Sequence, residues 1–94
     1  MNDEISRISI DKMVQKKLSN YCEINKIKIV KFVDSILEAY FNKPKTISIK
    51  YNTNKMPTSI IIYKPTKDKL VETANKLNKS TKTLLEEIIM YNIK

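Results

Sequence analysis

Several residue types that build reactive sites are missing from this chain. It has no histidine, and Cys22 is its single cysteine. Without histidine the common zinc-ligand sets and the usual general base are absent, so we expect no catalytic activity, no metal site and no cofactor. The carboxylates are scattered, mostly beside lysines, which is typical of solvated helix faces. A lone cysteine allows no disulfide within the chain, and we expect Cys22 to be an inert apolar residue on a helix face.

Glycine is also absent, so each turn and helix end must be made with Asn, Ser, Thr or Lys. The abundance of Lys, Ile and Asn indicates AT-rich coding and favours a phage, an archaeal virus or an AT-rich bacterium as the source. No apolar run approaches the roughly 20 residues needed to cross a bilayer. Residues 1–4 are acidic, unlike the start of a signal peptide. We therefore expect a cytoplasmic protein, inside the host cell if it is viral.

Positive charge clearly exceeds negative charge, with 18 basic against 10 acidic residues and a net charge of +8. A basic balance this strong in a short chain favours a polyanionic partner, usually nucleic acid. The stretch 44–65 contains four lysines and no acid, so it supplies half of the net charge. Apolar residues make up 41% of the chain, which is enough for a folded core.

The first half of the chain has the pattern of a strand followed by two helices. Residues 5–10 alternate apolar and polar, which predicts a half-buried strand, and Asp11 follows as a helix N-cap. Asn25-Lys26 interrupts the first helical pattern, and Pro44 ends the second. The apolar stripes predicted to form the core are Val14, Leu18, Tyr21 and Cys22, then Ile29, Phe32, Val33, Ile36, Leu37, Tyr40 and Phe41.

The second half follows the same plan. Residues 58–64 are rich in β-branched and aromatic side chains and predict a strand, and Pro65-Thr66 opens a helix. Asn78-Lys79 breaks that helix, and Ser80 can cap the next one. The predicted inner faces consist of Leu70, Ala74 and Leu77, then Leu84, Leu85, Ile88, Ile89 and Ile93.

A shift of 52 residues superimposes the two patterns and indicates an internal repeat. The matched pairs are Ile8 with Ile60, Ile10 with Ile62, Leu18 with Leu70, Cys22 with Ala74, Phe32 with Leu84, Val33 with Leu85, Ile36 with Ile88 and Leu37 with Ile89. Between the repeats, 46–51 alternates and predicts an extra strand, and 52–55 predicts a hairpin turn. We therefore divide the chain into 1–43, a basic linker at 44–57, and 58–94, together forming one compact domain.

Residues 74–89 carry a resemblance to a known family: Ala74-x-x-Leu77-Asn78-Lys79-Ser80-x-x-x-Leu84-Leu85-x-x-Ile88-Ile89. This stretch resembles the ribbon-helix-helix family, which includes the Arc, MetJ and CopG repressors. Asn78 stands where that family usually has glycine, and asparagine is the next-best residue for a left-handed position. The first half departs further, with Asn25-Lys26-Ile27-Lys28 in its turn and no serine cap.

The resemblance implies a mainly α fold with a short antiparallel β-ribbon, built here as a tandem ribbon-helix-helix pseudo-dimer. In that family the ribbon enters the major groove of double-stranded DNA, and the amino ends of the second helices hold phosphates. Because both motifs lie in one chain, we expect a monomer in solution that can assemble on adjacent DNA half-sites. A strand and two helices alone would be too small to fold, which independently favours pairing within the chain.

The strand alternation predicts which residues face DNA. If Ile8 and Ile10 face the helices, the outward residues that contact bases are Arg7, Ser9, Ser59, Ile61 and Tyr63. Two alternatives stay open: Arg7 is an ordinary surface arginine, or the second strand is buried on both faces under strand 46–51. The residues predicted to contact phosphates at the second-helix starts are Lys26, Lys28, Lys79, Ser80 and Thr81.

The function predicted from these features is a sequence-specific transcriptional regulator, a repressor that occludes a promoter. The alternative is a protein-interaction module, such as a viral inhibitor or an antitoxin-like protein, using the same scaffold against a protein partner. The apolar outward side chain of Ile61 motivates that alternative. A third hypothesis is architectural DNA binding without sequence preference.

Overall fold

The computed structural model describes residues 4–93, which form four helices and one two-stranded antiparallel sheet. The fold is therefore mainly helical with a short β-ribbon, as the sequence predicts at this level. The elements are β1 (Ile5–Asp11), α1 (Lys12–Ile24), α2 (Ile29–Asn42), β2 (Pro57–Tyr63), α3 (Lys64–Lys76) and α4 (Thr81–Ile93). The second strand and the helix after it each begin one residue earlier than predicted. None of the four helices in 4–93 has the length and apolar character needed to cross a membrane.

The two strands pair about a central position. Ile8 lies opposite Ile60, its counterpart 52 residues later, and the register continues to Ile5 opposite Tyr63. Two further backbone hydrogen bonds extend the pairing at its ends: Lys12 N to Met56 O at 2.8 Å, and Lys64 N to Glu4 O at 2.9 Å. A two-fold rotation about this central pair therefore brings each residue of β1 onto the residue of β2 that lies 52 positions later in the sequence.

The same offset holds for the element boundaries. The strands begin at residues 5 and 57, the first helices at 12 and 64, and the second helices at 29 and 81. The first helices also end alike, at 24 and 76. The strand-helix-helix order thus occurs twice with the same spacing. The turn from α1 to α2 and the turn from α3 to α4 therefore have the same length.

The helix ends explain how a chain without glycine makes these turns. Lys26 and Asn78 both have φ of 56°, the left-handed region. After each of them a backbone N–H bonds back to the helix, Ile27 N to Cys22 O at 2.9 Å and Lys79 N to Ala74 O at 3.0 Å. This six-to-one bond defines a Schellman motif, which usually uses glycine at the left-handed position. The left-handed conformation predicted for Asn78 is confirmed.

The core lies between the ribbon and the helices. α2 contacts β2 and α4 contacts β1, so each second helix packs against the strand of the other half, and α2 and α4 also contact each other. The predicted apolar stripes are confirmed as core with two exceptions. Leu77 follows α3 and is 46% exposed. Tyr21 is only half-buried, and its ring lies 5.1 Å from that of Phe32. The buried apolar residues are Ile8, Ile10, Val14, Leu18, Cys22, Val33, Ile36, Leu37, Tyr40, Ile47, Ile60, Ile62, Leu70, Ala74, Leu84, Leu85, Ile88, Ile89 and Met90.

The linker, residues 44–56, does not form the predicted strand at 46–51 or the hairpin at 52–55. The alternating apolar residues of this segment nevertheless face the core, because Ile47 is buried and both Ile49 and Tyr51 pack against the core. The backbone N–H groups of Asn54 and Met56 donate to the Asp11 carboxylate at 2.9 and 3.2 Å. The segment is therefore an extended strap, since its apolar side chains lie on the core and its end is held at the start of α1.

Candidate nucleic-acid interface

One side of the ribbon is exposed, and we call it the outer ribbon face: Ile5, Arg7, Ser9, Ser59, Ile61 and Tyr63. Arg7, Ser9, Ser59 and Ile61 are exposed, and Tyr63 is half-buried. Their neighbours Ile8, Ile10, Ile60 and Ile62 point into the core. Ile61 is 40% exposed, so the alternative in which the second strand is buried on both faces is wrong.

The register brings the outer side chains together in pairs. Arg7 lies opposite Ile61, and Ser9 lies opposite Ser59. Side chains directly opposite in an antiparallel pair have Cβ atoms about 5 Å apart. The sequence-predicted base-contacting residues are therefore neighbours on one narrow strip, with Arg7 as its only cation.

A further cation at the ribbon was not predicted. Lys67, in the first turns of α3, donates from Nζ to the backbone oxygen of Arg7 at 3.0 Å and to Ser6 Oγ at 3.3 Å. Its counterpart 52 residues earlier is Gln15, which has no charge. No local sequence signal places Lys67 here, because the contact joins residues 60 positions apart.

The start of α2 lies beside the outer ribbon face. Ile29 and Val30, its first two residues, line an open groove of about 380 Å³ together with Arg7, Ser59 and Ile61. The N-cap residue is Lys28, whose side chain makes no capping hydrogen bond, and the first turn contains no acid. Unpaired N–H groups and the helix dipole make such an end favourable for an anion.

Lys26 and Lys28 flank this start and are both exposed. Within residues 4–93 neither lysine forms an ion pair. Lys31, one turn further along, lies over the ring of Tyr63 with its Nζ 5.6 Å from the ring centroid. The α2 side of the ribbon thus carries Lys26 and Lys28, which form no ion pair with a carboxylate of residues 4–93.

The start of α4 differs from that of α2. Ser80 Oγ accepts a hydrogen bond from Thr83 N at 3.1 Å, so the predicted serine cap is confirmed, with Thr81 as the first helical residue. Lys79 Nζ lies 2.5 Å from Glu87 Oε1 and its side chain is only 34% exposed. The structure therefore places Lys79 at the helix start as predicted but pairs its charge within the chain.

Of the carboxylates in residues 4–93, those of Asp11 and Glu86 are buried, contrary to the expectation that the acids occupy solvated helix faces. Glu86 accepts hydrogen bonds from Asp11 N at 2.6 Å and from Tyr51 Oη at 2.9 Å, and Lys82 Nζ lies 3.1 Å from it. These contacts join β1, the strap and α4. Burial, followed by the hydrogen bond to Glu86 and its charge, raises the pKa of Tyr51.

Asp11 is the second buried carboxylate and ends the first ribbon strand. It caps α1 as predicted, because its side chain accepts from Met13 N at 2.9 Å. Burial raises its pKa, but hydrogen bonds from the backbone N–H groups of Asn54, Met13, Met56 and Lys55 outweigh burial and hold the pKa below its ordinary value. The ribbon is thereby tied to α1, α4 and the strap at one end.

At the position related to Glu86 by the 52-residue offset, a single side-chain hydrogen bond joins two helices. Thr66 Oγ1, in the first turn of α3, donates to Asp34 Oδ1 of α2 at 2.5 Å. Asp34 is the counterpart of Glu86 under the 52-residue offset. The two halves therefore hold their helices with different polar groups at related positions.

Residues 4–93 contain no group of three or more Cys, Asp or Glu side chains placed to bind a metal ion. The burial of Cys22 raises the pKa of its thiol. Comparison with models of protein families gives no match, and neither the curated proteins nor the solved structures include one that matches the chain. What the interface binds is therefore inferred from its own residues.

Proposed function

We propose that the chain is a ribbon-helix-helix pseudo-dimer that binds double-stranded DNA and acts as a transcriptional regulator. The observation that carries the proposal is the shared groove of Arg7, Ser59 and Ile61 with the uncapped start of α2. It combines a donor for base edges with an anion-binding helix end. The two-fold pairing about Ile8 and Ile60 supports the pseudo-dimer, because two chains related by symmetry would pair in the same way.

A two-stranded ribbon fits the major groove of B-DNA, which is about 12 Å wide. Arg7 carries five N–H donors in a fork that matches O6 and N7 of guanine. Ile61 offers an apolar contact for a thymine methyl, and the hydroxyls of Ser9 and Ser59 are able to meet either a donor or an acceptor. The outer ribbon face therefore has side chains suited to reading bases.

Backbone contacts would come from the helix starts. Lys26 and Lys28 supply positive charge beside the N–H groups of α2, and Thr81 begins α4 behind the Ser80 cap. Phosphate contacts fix the position of a protein on the duplex and carry no sequence information. A protein held in this way over a promoter blocks the polymerase, so we propose repression as the regulatory outcome.

The first test is binding to duplex DNA over a salt series from roughly 50 to 200 mM. Affinity should fall steeply with salt because lysine contacts release counterions. Arg7→Ala should weaken the best site by about 1–3 kcal/mol and relax specificity at one base pair. Lys28→Ala should weaken all sequences alike and reduce the salt slope by about one. If Arg7→Ala leaves the preferred sequence unchanged, the ribbon is not the reading element.

A protein partner is the second candidate, and the exposure of Ile5 at 60% and Ile61 at 40% favours it. Exposed apolar side chains mark a protein contact surface where they form a contiguous patch. Absence of duplex binding at the lowest salt would move the function to this candidate. Binding that ignores sequence would instead indicate an architectural role.

A further inference from the structure

The two halves of the outer ribbon face occupy equivalent places but carry different chemistry. Arg7 precedes Ile8 by one residue, just as Ser59 precedes Ile60, and Ile8 and Ile60 form the central pair. On the other side of the same centre, Ser9 corresponds to Ile61. The first half thus presents Arg7 where the second half presents Ser59. It presents Ser9 where the second half presents Ile61.

This difference matters because symmetry in a DNA-binding protein is mirrored in its site. Two identical chains present the same side chains to both half-sites and select a pseudo-palindrome. On the outer ribbon face of the present chain, the first half supplies an arginine, which binds guanine bidentately, and the second half has Ser59 in its place. The other half offers an apolar side chain and a hydroxyl at the mirrored positions.

The helix starts differ in the same sense. At α2, Lys26 and Lys28 are exposed and unpaired by acids within residues 4–93. At α4, Lys79 is paired with Glu87 and Lys82 with the buried Glu86. The start of α2, which lines the groove with Arg7, therefore has more unpaired positive charge than the start of α4.

We propose, on the basis of the DNA-binding function above, that this protein recognises a non-palindromic site in one fixed orientation. Arg7 specifies a guanine in one half-site, and the mirrored position in the other half-site has no such requirement. The start of α2 is the stronger phosphate anchor. A monomer bound in this way presents its two ends differently to a neighbouring protein on the DNA.

The test is selection of duplexes from a random library by three proteins: the wild type, Ser59→Arg and Arg7→Ser. Both substitutions lie on the exposed face and give the two halves matching residues at this position, so the fold should be retained. Each changes the net charge by one, in opposite directions. The wild type should select a site with one strongly preferred guanine. Ser59→Arg should add a preference for a second guanine, related to the first by the two-fold axis, and Arg7→Ser should remove the original preference.

Affinity for defined sites gives the magnitude. Replacing the selected guanine should weaken the wild type by about 5- to 150-fold, while the mirrored replacement should change its affinity less than threefold. Ser59→Arg should respond to both replacements. In the salt series Lys28→Ala should flatten the slope by about one, and Lys79→Ala by clearly less, because Glu87 already neutralises Lys79.

The failures are distinguishable. A wild-type preference for a palindrome, or a Ser59→Arg selection identical to that of the wild type, would overturn the oriented site while leaving DNA binding intact. Folded protein that binds no duplex at low salt would overturn the proposed function itself. Circular dichroism of each variant establishes that it is folded before selection.

Discussion

At the scale of single residues, the least usual feature is a lysine in the left-handed conformation. Lys26 has φ of 56° at the end of α1, where most proteins place glycine. A side chain with a Cβ atom costs about 1–2 kcal/mol in this conformation. The Schellman hydrogen bonds around Lys26 hold it there against that cost.

Lys26→Gly should therefore raise the free energy of unfolding by about 1 kcal/mol, since glycine adopts positive φ without the steric penalty. Denaturant unfolding monitored by circular dichroism measures the change. The matched control is Lys16→Gly, an exposed lysine inside α1, where glycine should lower the stability by about 1 kcal/mol. Equal effects of the two substitutions would contradict the explanation.

At the scale of elements, a strap at 44–56 that packs on the core stands where the sequence predicted a further strand at 46–51. It places Tyr51 over α4, where the hydroxyl donates to Glu86 Oε1 at 2.9 Å. Glu86 in turn accepts from the backbone of Asp11 at the end of β1. The strap therefore helps to hold the ribbon in position although it is not part of the sheet.

Tyr51→Phe should lower the free energy of unfolding by about 1.5 kcal/mol, because Glu86 loses a hydrogen bond in a buried place. The folded protein raises the pKa of Tyr51 through burial and Glu86, so it favours the neutral hydroxyl. This contribution is fully present below a pH of about 10, the pKa of an unfolded tyrosine, and is lost as the pH rises further.

Ultraviolet titration of tyrosinate in the folded protein measures the pKa directly. The wild type should show a late phase of tyrosinate formation, above the ordinary pKa of tyrosine, and Tyr51→Phe should abolish that phase. Tyr91→Phe, at an exposed tyrosine, is the control and should keep it. A late phase that survives in Tyr51→Phe would assign it to another residue.

At the scale of the whole molecule, the two halves complete each other. β1 pairs with β2, α2 packs against β2, and α4 packs against β1. Neither half is able to satisfy its strand or cover its core without the other. Covalent linkage supplies the partner strand and helices at a high effective concentration, so on this proposal folding should need no second chain.

We therefore expect a monomer. Light scattering of dilute protein should give a mass of about 11.0 kDa. The midpoint of unfolding should not change when the protein concentration changes, because no association step accompanies folding. A midpoint that rises with concentration would instead indicate pairing between chains.

Local patterns were sufficient for the order and approximate bounds of the strands and helices. Alternation, helical spacing, the Asp11 cap and the Asn78 turn depend on neighbouring residues, so they are readable along the chain. The outward positions of Arg7, Ser9, Ser59 and Ile61 followed from the same alternation. The extra strand at 46–51 was wrong for a related reason, since alternation predicts one covered face but not which element covers it.

Contacts between distant residues were decided only when the chain folded. Glu86 lies one helical turn from Lys82 and has the local sequence of a surface acid, yet it is buried because Asp11 N, 75 residues away, donates to it. The ion pair between Lys79 and Glu87 joins a lysine that the sequence predicts to contact phosphate with a carboxylate two turns away along α4. The groove between Arg7 and the start of α2 exists only because α2 packs against the second strand rather than its own. Such juxtapositions depend on how the halves interlock, which no periodicity within either half encodes.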